Sequence, residues 1–245
     1  MNINKDSLFE LTKVNVDFLN NNILNIRKLK FHRGAIYGIT GAPGSGKTTI
    51  LKLMSGLIKE NSGDVRYDNS SFQKNWLGRV TQNPDIAYVG MLDNKHGKSL
   101  PSTIGKKPIK QVLSKYSKKL NIDRILQNKL TYLSNGEIAF VNLSIALEKD
   151  PRVLILDDYG IYFDNETELK FRKKIISMNK NFGTTIILSS INDRLLKLFS
   201  SVVVYLENGH VSKIRTGIKS SKNYHKPTSK KFHQKRKNIA KKNKL

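Results

Sequence analysis

The run GAPGSGKT, Gly41 to Thr48, sets three glycines, a lysine and a hydroxyl at the spacing G-x-x-x-x-G-K-[ST]. Those residue types in that order grip phosphate. Gly41, Gly44 and Gly46 let backbone amides curl around phosphate oxygens with no side chain in the way. Ala42, Pro43 and Ser45 complete the curl, and a helix opening at Thr48 and Thr49 adds the partial positive charge of its N-terminus. Lys47 supplies a point charge to the outer phosphates of a nucleoside triphosphate, and the Thr48 hydroxyl suits Mg²⁺.

A magnesium site also needs a carboxylate at the end of a neighbouring strand. VLILDD (153–158) ends four apolar residues with Asp157 and Asp158. A buried strand finishing in two acids is a poor structural choice without a cation to balance them. Asp157 fits the metal contact, and Asp158 is placed to face an attacking water. Between loop and acids lies LSNGE (133–137), where Ser134 and Glu137 have the spacing of a capping box. Such a tip either caps a helix and nothing more, or presents a serine and a glycine to phosphate held by a second molecule.

Strands and helices must hold these groups. Residues 8–18 and 24–31 alternate as half-buried strands do. GAIYGIT (34–40) reads as a buried strand, TTILKLMSGL (48–57) as a helix, and NSGDVRYDN (61–69) as a turn with a flanking strand. The Lys-rich stretch 85–130 shows a helical pattern at 109–120 and no strong strand. A helix continues from Ser134 to about 148, another spans 168–179, and buried strands fall at 152–158 and 184–190. SVVVYLENGHVSKI (201–214) reads as two strands joined at its Glu-Asn-Gly turn. Strands alternating with helices predict an α/β fold on a mainly parallel sheet.

Composition narrows the chemistry further. The chain has 245 residues and no cysteine, which removes disulfides and thiolate metal sites. Its five histidines lack metal-ligand spacing. The apolar stretches are strand-sized, far short of a membrane span, and the polar N-terminus is unlike a secretory signal, so a soluble, cytoplasmic protein is expected. Net charge is +25, and residues 218–245 carry 11 Lys/Arg with no acid. That segment lacks periodicity and reads as a disordered basic tail with the charge to touch anionic lipid or RNA. Of the 44 basic residues 34 are Lys, so compositional drift is an equal account of the surface charge.

Loop, tip and acids together, in this order, resemble the ATP-binding cassette (ABC) ATPases over nearly the whole chain to about residue 217. The resemblance implies a P-loop NTPase core with a mainly parallel sheet, an N-terminal antiparallel β subdomain and an α-helical subdomain inserted at about 85–140. It implies ATP and Mg²⁺ as ligands, and a head-to-tail pair, homo- or heterodimeric, in which Ser134 and Gly136 touch the γ-phosphate held by the opposite cassette. Gln82 takes the place of the glutamine that senses the metal and links the core to the insert. Phe18 takes the place of the aromatic that stacks on adenine, and Asp164 that of the aspartate following the acid strand. The family's commonest arrangement adds a separate transmembrane permease, which would hold this chain at the inner face of a membrane.

Six positions depart from the family pattern. Asn135 and Glu137 replace the usual glycine and glutamine of the tip. The catalytic glutamate is Asp158, one methylene shorter, and the usual Pro-Thr after the acids is Tyr159-Gly160. The switch histidine aligns with Ile191, whose side chain has no hydrogen bond to offer, with Asn192 one residue away. The resemblance therefore implies secure nucleotide binding and weakened hydrolysis. Three functions fit: the energy-coupling subunit of a transporter, a soluble ABC protein acting on ribosomes or nucleic acid through its tail, and a binding-only regulatory half of an asymmetric pair.

Overall fold

The computed structural model describes residues 7–19, 21–77, 80–90 and 100–217; the basic tail lies outside the described residues, as does 91–99 of the Lys-rich stretch. The chain opens with β1 (Ser7–Phe18) and β2 (Asn21–His32), a long antiparallel hairpin. β1 starts with Ser7 and Leu8 both buried, and its alternating buried side chains are then Phe9 and Leu11, followed by Val14 and Val16. The change of phase falls at Lys13, whose φ of 51° inserts an irregular residue, so both halves present their apolar face to the same side. β3 (Ile36–Thr40) is buried along its whole length and leads through the glycine loop into α1 (Lys47–Met54). β4 (Ser62–Tyr67) pairs with β1, and β5 (Ser70–Ser71) with β4.

β6 (Ile86–Val89) then enters the second sheet. Beyond it come the small pair β7 (Thr103–Ile104) and β8 (Lys107–Pro108), the short helices α2 (Ile109–Ser114) and α3 (Ile122–Gln127), and a 3-10 turn at Leu130–Tyr132, the group of elements called the insert below. The rest alternates: α4 (Asn135–Glu148), β9 (Val153–Leu156), α5 (Asn165–Phe182), β10 (Thr185–Ser189), α6 (Asp193–Lys197), β11 (Val202–Glu207) and β12 (His210–Thr216). The central sheet runs β12-β11-β3-β10-β9-β6, parallel except for its β11–β12 pair; the N-terminal sheet runs β2-β1-β4-β5.

Both faces of the central sheet are covered, as parallel strands require. Val153 and Ile155 of β9 face the cluster formed by α1 and the N-terminal sheet, with Phe9, Phe31 and Leu51. Leu154 and Leu156 face the opposite cluster, with Phe140 of α4, Phe171 of α5 and the insert. Each such side chain, fully buried, contributes about 1.5–3 kcal/mol of hydrophobic stabilisation. With both faces occupied, the strand ends are the place left for polar chemistry.

The expectation of no strong strand within 85–130 is corrected at β6, which pairs in parallel with β9 from Ile86↔Val153 to Val89↔Leu156. The signal was weak for a physical reason. An edge strand of four half-buried residues has neither the alternation of a hairpin nor the full apolar run of a central strand.

Candidate functional site

The glycine loop is shaped by contacts that only glycine allows. A Cβ on Gly41 would sit 2.2 Å from the Leu206 carbonyl oxygen and 2.6 Å from Ser45 Oγ. Gly46, at φ 95°, would drive a Cβ within 3.1 Å of the Ile23 oxygen. The Glu-Asn-Gly turn between β11 and β12 braces the same loop: Gly209 N donates to the Ser45 oxygen at 3.2 Å, and Asn25 N donates to the Gly209 oxygen at 2.9 Å. Two elements distant in sequence thereby fix the curl.

Ala42, Pro43 and Gly44 are exposed at the mouth, Ser45 and Lys47 are buried, and Thr48 and Thr49 are half-buried in the first turn of α1. Lys47 Nζ donates to the Gly41 and Ala42 oxygens, each at 2.8 Å. Burial pulls the Lys47 amine below its ordinary pKa, against the opposing pull of Asp158 and Asp157. The ammonium thus lies in the field of both acids. Phe18 is 68% exposed at the β1–β2 hairpin end, on a hairpin whose Ile23 abuts Gly46, so its ring is surface and not core.

β10 lies between β3, which feeds the loop, and β9, which ends in the acids. Ser189 at the end of β10 donates its hydroxyl to Asp157 Oδ1 at 2.7 Å and accepts the Asp158 backbone N–H at 2.8 Å. Tyr88 on β6 donates to Asp157 Oδ2 at 3.1 Å. Asp158 sits in the left-handed region, at φ 52°, a conformation that Asp tolerates better than most residues. Burial raises its carboxyl pKa, the Asp157 charge raises it further, and Lys47 works the other way. Strand order and the two hydroxyls were invisible to motif reading, because they come from flanking strands.

LSNGE opens α4 as anticipated. Glu137 N donates to Ser134 Oγ at 3.2 Å, and the Glu137 carboxylate accepts both Ser134 N and Ser134 Oγ at 2.9 Å. Glu137 also pairs with Arg124 of the insert. Ser134 and Asn135 are exposed, and Gly136 lies beside Tyr162 in the acid loop. Asp164 caps α5 by accepting Thr167 N at 2.8 Å, and it receives Lys119 at 3.1 Å.

Gln82 does not join this group. It is exposed and precedes β6, at the end of the sheet where the parallel strands begin, whereas Asp157 follows β9 at the end where they finish. The four residues of β6 separate the two ends by about 13 Å. Residue type suggested Gln82; strand direction excludes it, and the residue of β6 that reaches Asp157 is Tyr88. Asn192 is likewise engaged, capping α6 by accepting Leu195 N at 3.2 Å, while Ile191 is 58% exposed.

Among the described residues no helix is long and apolar enough to cross a membrane, and no three His, Asp or Glu gather as a metal cage. A hydroxyl at Thr48 and one strand-end carboxylate at Asp157 are instead the hard, sparse oxygen set that suits Mg²⁺ shared with phosphate and water.

The comparisons agree with this geometry. Residues 24–159 match the family model described as ABC transporter. The chain is 32% identical to the tungstate uptake system ATP-binding protein of Peptoclostridium acidaminophilum, over 77% of this chain and 89% of that protein. It is 28% identical to an energy-coupling factor transporter ATP-binding protein of Mycoplasma mobile, over 77% and 72%. Its fold matches a dimeric ATP-binding cassette solved with ADP and Pi, at TM-score 0.64 and 20% identity, covering 85% of this chain and 98% of that one. The glycine loop, the strand-end acids and this match over more than half its length make the chain a member of the ABC transporter family, with the P-loop nucleotide-binding fold of that family's ATP-binding subunits.

Proposed function

We propose that residues up to 217 bind Mg·ATP between two cassettes arranged head to tail, and that this binding drives a membrane permease carried on a separate chain. The observation that carries the reading is the convergence of Lys47, Asp157 and Asp158 at one end of the central sheet. Lys47 exchanges its loop carbonyls for the β- and γ-phosphates, Thr48 and Asp157 hold the cation, and Phe18 offers its exposed ring to the base. Bound there, Mg²⁺ neutralises charge on the outer phosphates. Ser134 and Gly136, exposed or half-exposed on α4, face the phosphate of the opposite cassette. The names of the relatives support a transporter role; in this reading the chain works in the cytoplasm, against the inner face of a membrane.

Hydrolysis in this reading is slow. Asp158 has a shorter reach than a glutamate, and Ile191 contributes no hydrogen bond while Asn192 is committed to its helix. Two transition-state contacts weakened by about 3 kcal/mol each lower the rate by roughly four orders of magnitude.

Titration of the purified chain with Mg·ATP by calorimetry, followed by sedimentation with and without nucleotide, tests the reading. The expected result is binding that falls at least tenfold in Lys47→Ala, and ATP-dependent pairing with itself or a second cassette. A parent protein that does not bind ATP overturns it.

A further inference from the structure

Asp157 is gripped from both sides. On one side Ser189 of β10 donates to Oδ1 at 2.7 Å, and on the other Tyr88 of β6 donates to Oδ2 at 3.1 Å. β9 lies between these two strands, so the carboxylate is aimed by its neighbours and not by its own strand alone. The Tyr88 reach depends on Gly90: a Cβ there would stand 2.4 Å from the tyrosine oxygen and 2.7 Å from its ring. Ser189 has a second task. Its hydroxyl proton goes to Asp157 while its lone pair accepts the N–H of Asp158, which fixes the left-handed backbone carrying the second acid.

We propose that Tyr88 and Ser189 are positioning residues for the divalent cation, holding both oxygens of the Asp157 carboxylate in the orientation that meets the metal's hydration shell. Each oxygen has accepted one hydrogen bond and keeps a lone pair for a metal-bound water. The hydroxyls remove the rotation that an unheld carboxylate would have to lose on binding, so the metal meets an oriented group. Tyr88 performs from the edge strand the metal-end contact that Gln82 is too far away to make. The inference rests on the proposed Mg·ATP site and names two further residues of it.

The test is nucleotide affinity measured with a fluorescent ATP analogue, in a Mg²⁺ titration and in EDTA, for the parent, Tyr88→Phe, Ser189→Ala, Ser189→Thr and Gly90→Ala. The parent is expected to bind more tightly with Mg²⁺. Tyr88→Phe and Ser189→Ala are expected to raise the Mg²⁺ concentration at half-effect about three- to tenfold, with EDTA affinity and melting temperature close to the parent's. Ser189→Thr, which keeps the hydroxyl, restores the response, and Gly90→Ala behaves like Tyr88→Phe. Variants with the parent's Mg²⁺ dependence, or with equal losses in EDTA, overturn the inference alone. A parent whose affinity ignores Mg²⁺ overturns the metal site itself, and this inference with it.

Discussion

Ser134 gives its only hydroxyl proton to Glu137, at 2.9 Å across the first turn of the helix they open. The same carboxylate oxygen also takes the Ser134 backbone N–H. A phosphate arriving from another cassette would meet a serine whose donor is in use and an anion directly behind it. Glu137→Gln keeps an acceptor for the backbone N–H and removes the charge. It also breaks the pair with Arg124, an exposed interaction worth about 1 kcal/mol or less. The expected outcome is ATP-dependent pairing strengthened about five- to tenfold, read by analytical ultracentrifugation. Unchanged or weaker pairing would count against a phosphate-facing tip.

Ser134→Ala separates the two tasks of the cap. Loss of an N-cap costs about 1 kcal/mol, visible as a lower urea midpoint. ATP binding to the single chain should be untouched, because the hydrogen bonds of Ser134 run to Glu137 and those of Lys47 to its own loop. Pairing with ATP should fall. A drop in single-chain affinity equal to the drop in pairing would mean that the substitution acts through folding.

Asp158→Asn should fold well, since Asn tolerates the left-handed backbone that residue 158 adopts. It should also stabilise the nucleotide-free protein at neutral pH. The carboxyl pKa is raised by burial and by Asp157, so the folded state holds its proton more tightly than the unfolded chain does. The charged form therefore opposes folding above that pKa, and the opposition fades as pH falls through it. Thermal melts at pH 7 test the stability, and phosphate release tests the other half: residual turnover should vanish. The converse pair, Asp158→Glu with Ile191→His, should raise turnover by at least tenfold.

Glu148 anchors the insert. Burial alone would raise its pKa, but hydrogen bonds from Lys107, Tyr116 and Lys115 outweigh that and hold the carboxylate at about 2. Its contribution is fully present above the ordinary carboxylate range near pH 4.5 and is lost as pH falls toward 2. Glu148→Gln should cost about 2 kcal/mol at pH 7. It should also flatten the fall in stability over that acid window. Urea unfolding at several pH values checks both.

The phosphate loop, the acid strand and the helix-opening tip were legible because each is a local pattern with a local physical cause. Phe18 could be placed at a strand end, though only the structure shows its ring exposed. Gln82 failed because side-chain chemistry was matched without strand direction; once β6 is seen to run parallel to β9, the residue that follows the strand at the end beside the acids is Gly90. Tyr88 and Ser189 left no mark in the sequence, since their partner lies 69 and 32 residues away and the strand order that unites them is a tertiary fact. The short helix α6 was missed because five residues carry no readable period.

Among the described residues, three sets of ionic contacts tie β8, α2, α3 and the segment between them to α4 and α5: Lys107 and Lys115 to Glu148, Arg124 to Glu137, and Lys119 to Asp164 and Glu166. Their far ends are the tail of α4, the tip of α4, and the start of α5 just beyond the acids. A force that turns the insert is therefore felt at the tip and beside the acid pair at once, as a lever bolted at three points moves its whole mount. Because most of these bolts are charges near the surface, raised salt should slacken that linkage before it unfolds the protein.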